Sequence, residues 1–121
     1  MAKWHGFGRC KTRLSKDIGK NNSAKVQNVM TNHTISVARS LQDFKQIYIS
    51  IAVSGMGGKS CKRWSEKLGI ENFNLQGKGC LGEKMKRQII KNKKFCTQNK
   101  IKSIIFIGTD LPDLCHLDVL N

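Results

Sequence analysis

Apolar positions along the 121-residue chain change their period several times, and each change predicts an element. Met1 to Trp4 reads as the tail end of a strand, and a Gly-rich basic loop follows from His5 to Leu14. Val26, Val29, Met30, His33, Val37 and Leu41 recur at helical spacing, so they predict a helix with one apolar face through about Leu41. Asn21-Asn22-Ser23 offers its N-cap. His33 lies on that face and reads as a satisfied core-edge histidine. Gln46 to Ser54, QIYISIAVS, is rich in β-branched residues and predicts a buried strand. Gly55 to Gly58 is a loop, Lys59 to Leu68 a short helix stopped by Gly69, and Phe73 to Gln76 a short strand. Gln76-Gly77-Lys78-Gly79 breaks the chain again. Leu81, Met85, Ile89 and Phe95 then mark a long basic helix ending near Lys100. Ser103 to Gly108, SIIFIG, is the most apolar strand, and His116 to Asn121 begins another helix. Strands alternating with helices predict an α/β fold: three layers around a mainly parallel sheet.

Composition narrows the function classes. Hydrophobic residues are 39% and charged residues 25%, ordinary for a folded soluble domain and too apolar for a disordered basic tail. One domain spanning 1–121 is the expected organisation. No apolar run approaches the roughly 18 residues of a membrane span. The first residues contain no apolar signal-peptide core, so a cytoplasmic location with reduced thiols is expected. Cys10, Cys61, Cys80, Cys96 and Cys115 form no C-x-x-C pair, and neither His5 with Cys10 nor Cys115 with His116 has zinc-site spacing. Lys plus Arg number 22 against 8 acids, a formal charge of +14. Such a charge attracts phosphate polymers. Lys, however, outnumbers Arg 17 to 5, and the basic residues are spread along the chain. A solvated Lys-rich surface is the preferred reading. A basic nucleic-acid-binding domain without catalysis is the alternative.

Three segments carry candidate chemistry. Val53-Ser54-Gly55-Met56-Gly57-Gly58-Lys59-Ser60 follows a strand and ends in Gly-Lys-Ser, like a Walker A loop. That loop needs Gly where Val53 stands, so the segment reads as a strand-to-helix connection. In the Lys3 to Leu14 segment, Gly6 and Gly8 allow close backbone approach. Arg9, Lys11 and Arg13 alternate, so in extended chain they point to one side. A loop of that kind at the carboxyl end of a strand suits a pyrophosphate, and a solvated basic loop fits the composition equally. The third segment is Gly108-Thr109-Asp110-Leu111-Pro112-Asp113. Its strand delivers Asp110 to the edge where open α/β sheets bind ligands. Asp110 there either holds Mg²⁺ or Mn²⁺ or caps the next helix, and Asp113 reads as a cap.

Taken together, Gly8-Arg9-Cys10-Lys11-Thr12-Arg13-Leu14, Gln76-Gly77-Lys78-Gly79-Cys80-Leu81-Gly82-Glu83-Lys84-Met85 and Gly108-Thr109-Asp110-Leu111-Pro112 resemble a known family, in its order. They resemble the bacterial selenodomain-associated transferases, or arsenosugar-biosynthesis-type glycosyltransferases, of the nucleotide-diphospho-sugar transferase (GT-A) fold. The resemblance implies transfer of a sugar from a nucleotide-diphospho-sugar to an acceptor that the sequence does not identify. Lys3, Gly8, Arg9, Lys11, Thr12 and Arg13 would hold the nucleotide diphosphate. Gly82, Glu83, Thr109, Asp110 and Pro112 would line the sugar-nucleotide pocket, with Asp110 on a divalent cation, Mg²⁺ or Mn²⁺. A 3-2-1-4 strand order would bring the Lys11 loop beside Asp110. The chain departs from the family pattern at Cys80, where Asp is usual, and at Lys84, where Arg is common. Members of the family have apolar residues before the position of Met1 and continue past that of Asn121. The resemblance thus implies an incomplete sheet, mostly the donor half of a transferase, with exposed apolar surface and a tendency to self-associate.

Overall fold

The computed structural model describes residues 1–6, 11–43 and 46–120. Its elements run β1 (Ala2–Lys3), α1 (Thr12–Ile18), α2 (Lys20–Gln42), β2 (Ser50–Ser54), α3 (Gly58–Leu68), β3 (Asn72–Leu75), α4 (Leu81–Gln98) and α5 (His116–Leu120). The strands form one parallel sheet in the order β1-β2-β3, with Ala2 opposite Val53 and Val53 opposite Leu75. The fold is α/β, and the sheet contains the first three places of the expected strand order.

The core follows from strand alternation. Ile51 and Val53 share one face of β2 and pack with Ala2, Cys61, Trp64 and Ile70. Burial in this cluster pushes the Cys61 thiol pKa up. Cys61 and Trp64 are three apart on α3 and so lie on one face of that helix. Gly69 ends α3 as expected, in the left-handed conformation at φ 70°, and Ile70 N–H returns to Ser65 C=O at 2.9 Å. That turn delivers Ile70 into the core. A side chain at Gly69 would also press on the Arg39 guanidinium.

Gln76 ties the three strands together. It is buried just past β3, and its Nε2 donates to Ala2 C=O of β1 and Ala52 C=O of β2, both at 2.9 Å. Arg87 of α4 then braces the following loop, donating to the carbonyls of Gln76 and Lys78.

Three sequence expectations are corrected. The first concerns Ser103–Gly108, which is irregular rather than a fourth strand. It lies beside β1, where the Met1 amino group donates to Ile107 C=O. β1 is two residues long and offers too short an edge for a six-residue ladder. Ile104 and Ile105 consequently stay exposed, at 44% and 64%. A cavity of about 540 Å³ opens among Leu41, Ile49, Ile51, Gln88, Phe95 and Ile105.

The second correction is the start of the long helix. Gly19, at φ 84°, separates α1 from α2. Asn21-Asn22-Ser23 therefore lies inside the first turn of α2, where the Ser23 hydroxyl donates to Lys20 C=O. The third is the face of that helix. Ser23, Gln27, Thr31, Thr34 and Leu41 are buried, whereas Val29 is 66% exposed. The buried stripe is helical in period but rotated from the apolar one, because polar partners hold it: Gln27 Nε2 donates to Thr31 Oγ1 and Thr109 Oγ1, each at 3.3 Å. Small polar side chains that satisfy one another can occupy an interface. His33 is satisfied as expected, with Nε2 2.9 Å from Leu114 C=O.

Candidate functional site at the carboxyl edge of the sheet

Parallel strands direct their carboxyl ends to one edge, and the loops there carry the polar chemistry. Lys11 precedes α1 in the left-handed conformation at φ 46°. Its Nζ donates to Asp110 Oδ1 at 2.9 Å, across 99 residues of sequence. The Lys11 side chain is 19% exposed, and that of Asp110 72%. The ammonium is thus mostly covered while the carboxylate opens to solvent. An exposed pair of this kind contributes at most about 1 kcal/mol to stability, so stability alone gives little reason for it. Thr109 is buried against Gln27, which anchors the backbone that presents Asp110.

The other predicted residues distribute unevenly. Lys3 is exposed on β1, Thr12 opens α1, and Arg13 is exposed on α1. Gly8 and Arg9 lie outside the described residues. Pro112 is exposed in the turn that closes with Leu114 N–H on Leu111 C=O. Gly82 lies in the first turn of α4.

Glu83 caps its own helix. It is the third residue of α4, and its carboxylate accepts from Cys80 N–H at 2.8 Å in a capping box. Gly79, at φ 109°, makes room, since a Cβ there would collide with the Glu83 carboxylate. Cys80, where the resembled family has Asp, is therefore an N-cap position, and an Asp there would cap the helix more strongly than a thiol. Among the described residues, no three His, Cys, Asp or Glu side chains cluster as a metal site. The described cysteines, Cys61, Cys80, Cys96 and Cys115, are free thiols.

Sequence reasoning missed a second concavity on the same edge. A pocket of about 590 Å³ is lined by Trp4 and His5 after β1, Met56 after β2, and Ser60, Arg63 and Trp64 of α3. The Gly-Lys-Ser string enters here as the connection expected of it, with Gly57 capping α3 in extended conformation. The His5 ring lies against Trp4 at 4.0 Å between centroids, tilted by 41°, and its buried Nδ1 has no hydrogen-bond partner. Burial, and then the nearby Lys67 ammonium, hold its pKa below the ordinary histidine value. Trp4, His5 and Trp64 are 60 residues apart at the extremes, and only the tryptophans' rarity in the chain marks them in the sequence.

The fold has a solved counterpart in the crystal structure of a candidate nucleotide-diphospho-sugar transferase from Desulfovibrio desulfuricans G20. The TM-score is 0.71 at 21% sequence identity, with 98% of this chain and 48% of that one covered. The chain therefore spans about half the length of that structure. No curated protein matches the chain. A family model described as "Uncharacterized protein conserved in bacteria (DUF2064)" matches residues 37–120, from the last turns of α2 through α5. That match takes in most of the sheet and the segment that presents Asp110, and the chain belongs to this bacterial DUF2064 family.

Proposed function

We propose that the chain is the donor-binding part of a cytoplasmic nucleotide-sugar-dependent transferase of the selenodomain-associated type. The observation that carries the reading is the Lys11–Asp110 pair, assembled at the carboxyl edge of a parallel sheet from segments 99 residues apart. The likeness in fold to a candidate nucleotide-diphospho-sugar transferase supports it.

In the reaction, the bond between the sugar's anomeric carbon and the diphosphate oxygen breaks, and its electron pair stays on the diphosphate. An acceptor nucleophile forms the new bond to that carbon and releases its proton to solvent. Charge builds on the leaving diphosphate, and cations placed there in advance stabilise it most. Lys11 is such a cation, and the resemblance assigns the same role to Arg9 and Arg13 of its motif.

A divalent cation fits one way only. Asp110 is a lone exposed carboxylate with one oxygen paired to Lys11. Such a residue suits Mg²⁺ or Mn²⁺ arriving on the donor's phosphates, since these ions need few protein carboxylates. When bound, the ion would further neutralise the leaving diphosphate. Lys11 would turn from Asp110 to the phosphate oxygens as the donor enters.

Calorimetric titration with nucleoside diphosphate-sugars and Mg²⁺ or Mn²⁺ tests the reading. Binding is expected, with at least tenfold loss in Asp110→Ala and in Lys11→Ala. A folded chain that ignores every donor, or binds equally well without Asp110, sinks it. A nucleic-acid-binding reading draws on α4, where Lys84, Lys86, Lys93 and Lys94 accompany a single acid already engaged at the cap. It requires duplex or single-strand binding that falls steeply with salt.

A further inference from the structure

We propose that the outward face of α4 docks the protein on an anionic phospholipid surface. The docking is independent of donor binding at the carboxyl edge of the sheet.

Charge is the first argument. From Lys84 to Lys102 the chain carries eight cations and no carboxylate. The one acid of α4, Glu83, is held on the Cys80 N–H. The ion pairs among the described residues, Lys11–Asp110 and Lys62–Glu66, lie elsewhere. The counter-charge this run meets therefore comes from outside the fold.

Orientation is the second argument. One side of α4 is tied to the sheet. Gln88 Nε2 and Lys91 Nζ donate to Leu75 C=O at 3.1 and 3.0 Å, Asn72 Nδ2 donates to Asn92 Oδ1 at 3.1 Å, and Phe95 meets Tyr48 edge to face. A helix turns by roughly 100° per residue. Lys86, Ile90, Lys93 and Thr97 thus fall opposite the buried Gln88, with Ile89 and Lys94 on the flanks. Ile89 is 47% exposed and Ile90 62%, and Lys86, Lys93 and Lys94 are exposed as well. The outward face is two adjacent isoleucines with lysines before and after them.

The third argument is what such a face can meet. On a bilayer, the isoleucines sink to the acyl boundary while the long lysine stems keep their ammoniums among the lipid phosphates. Nucleic acid would use the lysines alone, because an aliphatic side chain neither stacks on a base as an aromatic ring does nor pairs with its polar edge. Protein interfaces favour Arg and aromatic residues over Lys, and every cation on the outward face is Lys. The formal charge of +14 adds attraction to an extended anionic plane.

Co-sedimentation of the full chain with vesicles tests the docking. Vesicles of phosphatidylglycerol mixed with phosphatidylcholine should bind at least about tenfold more tightly than phosphatidylcholine alone, and the binding should weaken as salt is raised. Lys86→Glu with Lys93→Glu, and separately Ile89→Ser with Ile90→Ser, should each cost at least about tenfold, with circular dichroism unchanged because these positions are exposed. Ile90→Ser alone should act in the same direction, and it serves if the double variant loses helix. Lys25→Glu with Lys59→Glu removes equal charge from α2 and α3 and should cost far less. No binding to the anionic vesicles overturns the docking. So does a loss as large in the Lys25 and Lys59 variant, or indifference to both serine variants, since bulk charge would then be the whole cause. Binding to duplex or single-stranded DNA in preference to the vesicles assigns the face to nucleic acid and overturns it too.

Discussion

The segment Ser103–Gly108 and the β2–α3–β3 unit differ in an instructive way. Both are apolar in sequence, and SIIFIG is the more apolar of the two. Yet β2 buries Ile51, Ala52 and Val53 almost completely, whereas Ile104 and Ile105 stay exposed and no ladder forms. The difference lies in what each segment can pair with. β2 has a neighbour on both sides, α3 against its face and Gln76 locking its end. Ser103–Gly108 meets a two-residue strand. Hydrophobicity nominates a strand, and the available edge decides whether it forms.

The contrast can be broken at its strongest point. Trp64→Ala should cost about 3–5 kcal/mol, enough to unfold so small a chain, while Ile105→Ser should change stability by no more than about 0.5 kcal/mol. Comparable losses in denaturant melts of the two variants would show that Ile105 is packed after all.

Gln76→Ala tests the lock. It removes two buried hydrogen bonds to carbonyls of β1 and β2, for an expected loss of about 1–3 kcal/mol. The amides of Ala2 and Lys3 should then exchange faster in hydrogen-exchange experiments, because β1 depends on the clamp most.

Helix ends sharpen the comparison further. α3 stops at a left-handed Gly69, whereas α4 stops with Lys100 left-handed at φ 54°, returning Ile101 N–H to Cys96 C=O. An L side chain in that conformation costs energy that glycine avoids. Lys100→Gly should therefore stabilise by about 1 kcal/mol, and Cys80→Asp at the opposite end by about 0.5–1 kcal/mol. Each gain should appear as a higher thermal midpoint without loss of helix signal.

The smallest expected effect is a pH dependence. The His5 pKa lies below its unfolded value of 6.5, so the unfolded chain takes up the proton first. Stability should be fully present above that value and decline as pH falls through it. His5→Gln should flatten this part of the profile, and an unchanged slope would assign it to other groups.

Much of the fold was legible. The breaks at Gly55–Gly58 and Gln76–Gly79, the stop at Gly69, and the helices α3 and α4 all follow from local rules, because turn geometry and helical period are properties of neighbouring residues. The buried face of α2 was not legible. Its stripe of Ser23, Gln27, Thr31 and Thr34 looks solvent-facing until Thr109, 82 residues from Gln27, supplies a partner. For the candidate site, the cations and Asp110 were visible as residue types at strand ends. Glu83 was visible too, but its capping role depends on the backbone of Cys80 and the room left by Gly79.

By itself, the sequence determined the α/β alternation, the basic loop, the acidic strand end and the order in which they occur. The tertiary structure alone decided that Lys11 touches Asp110, that Trp4 and Trp64 share a pocket, and that SIIFIG does not join the sheet. Local pattern sets what a segment prefers. Pairing and burial depend on which distant groups arrive to meet it, and those meetings exist only once the chain has folded.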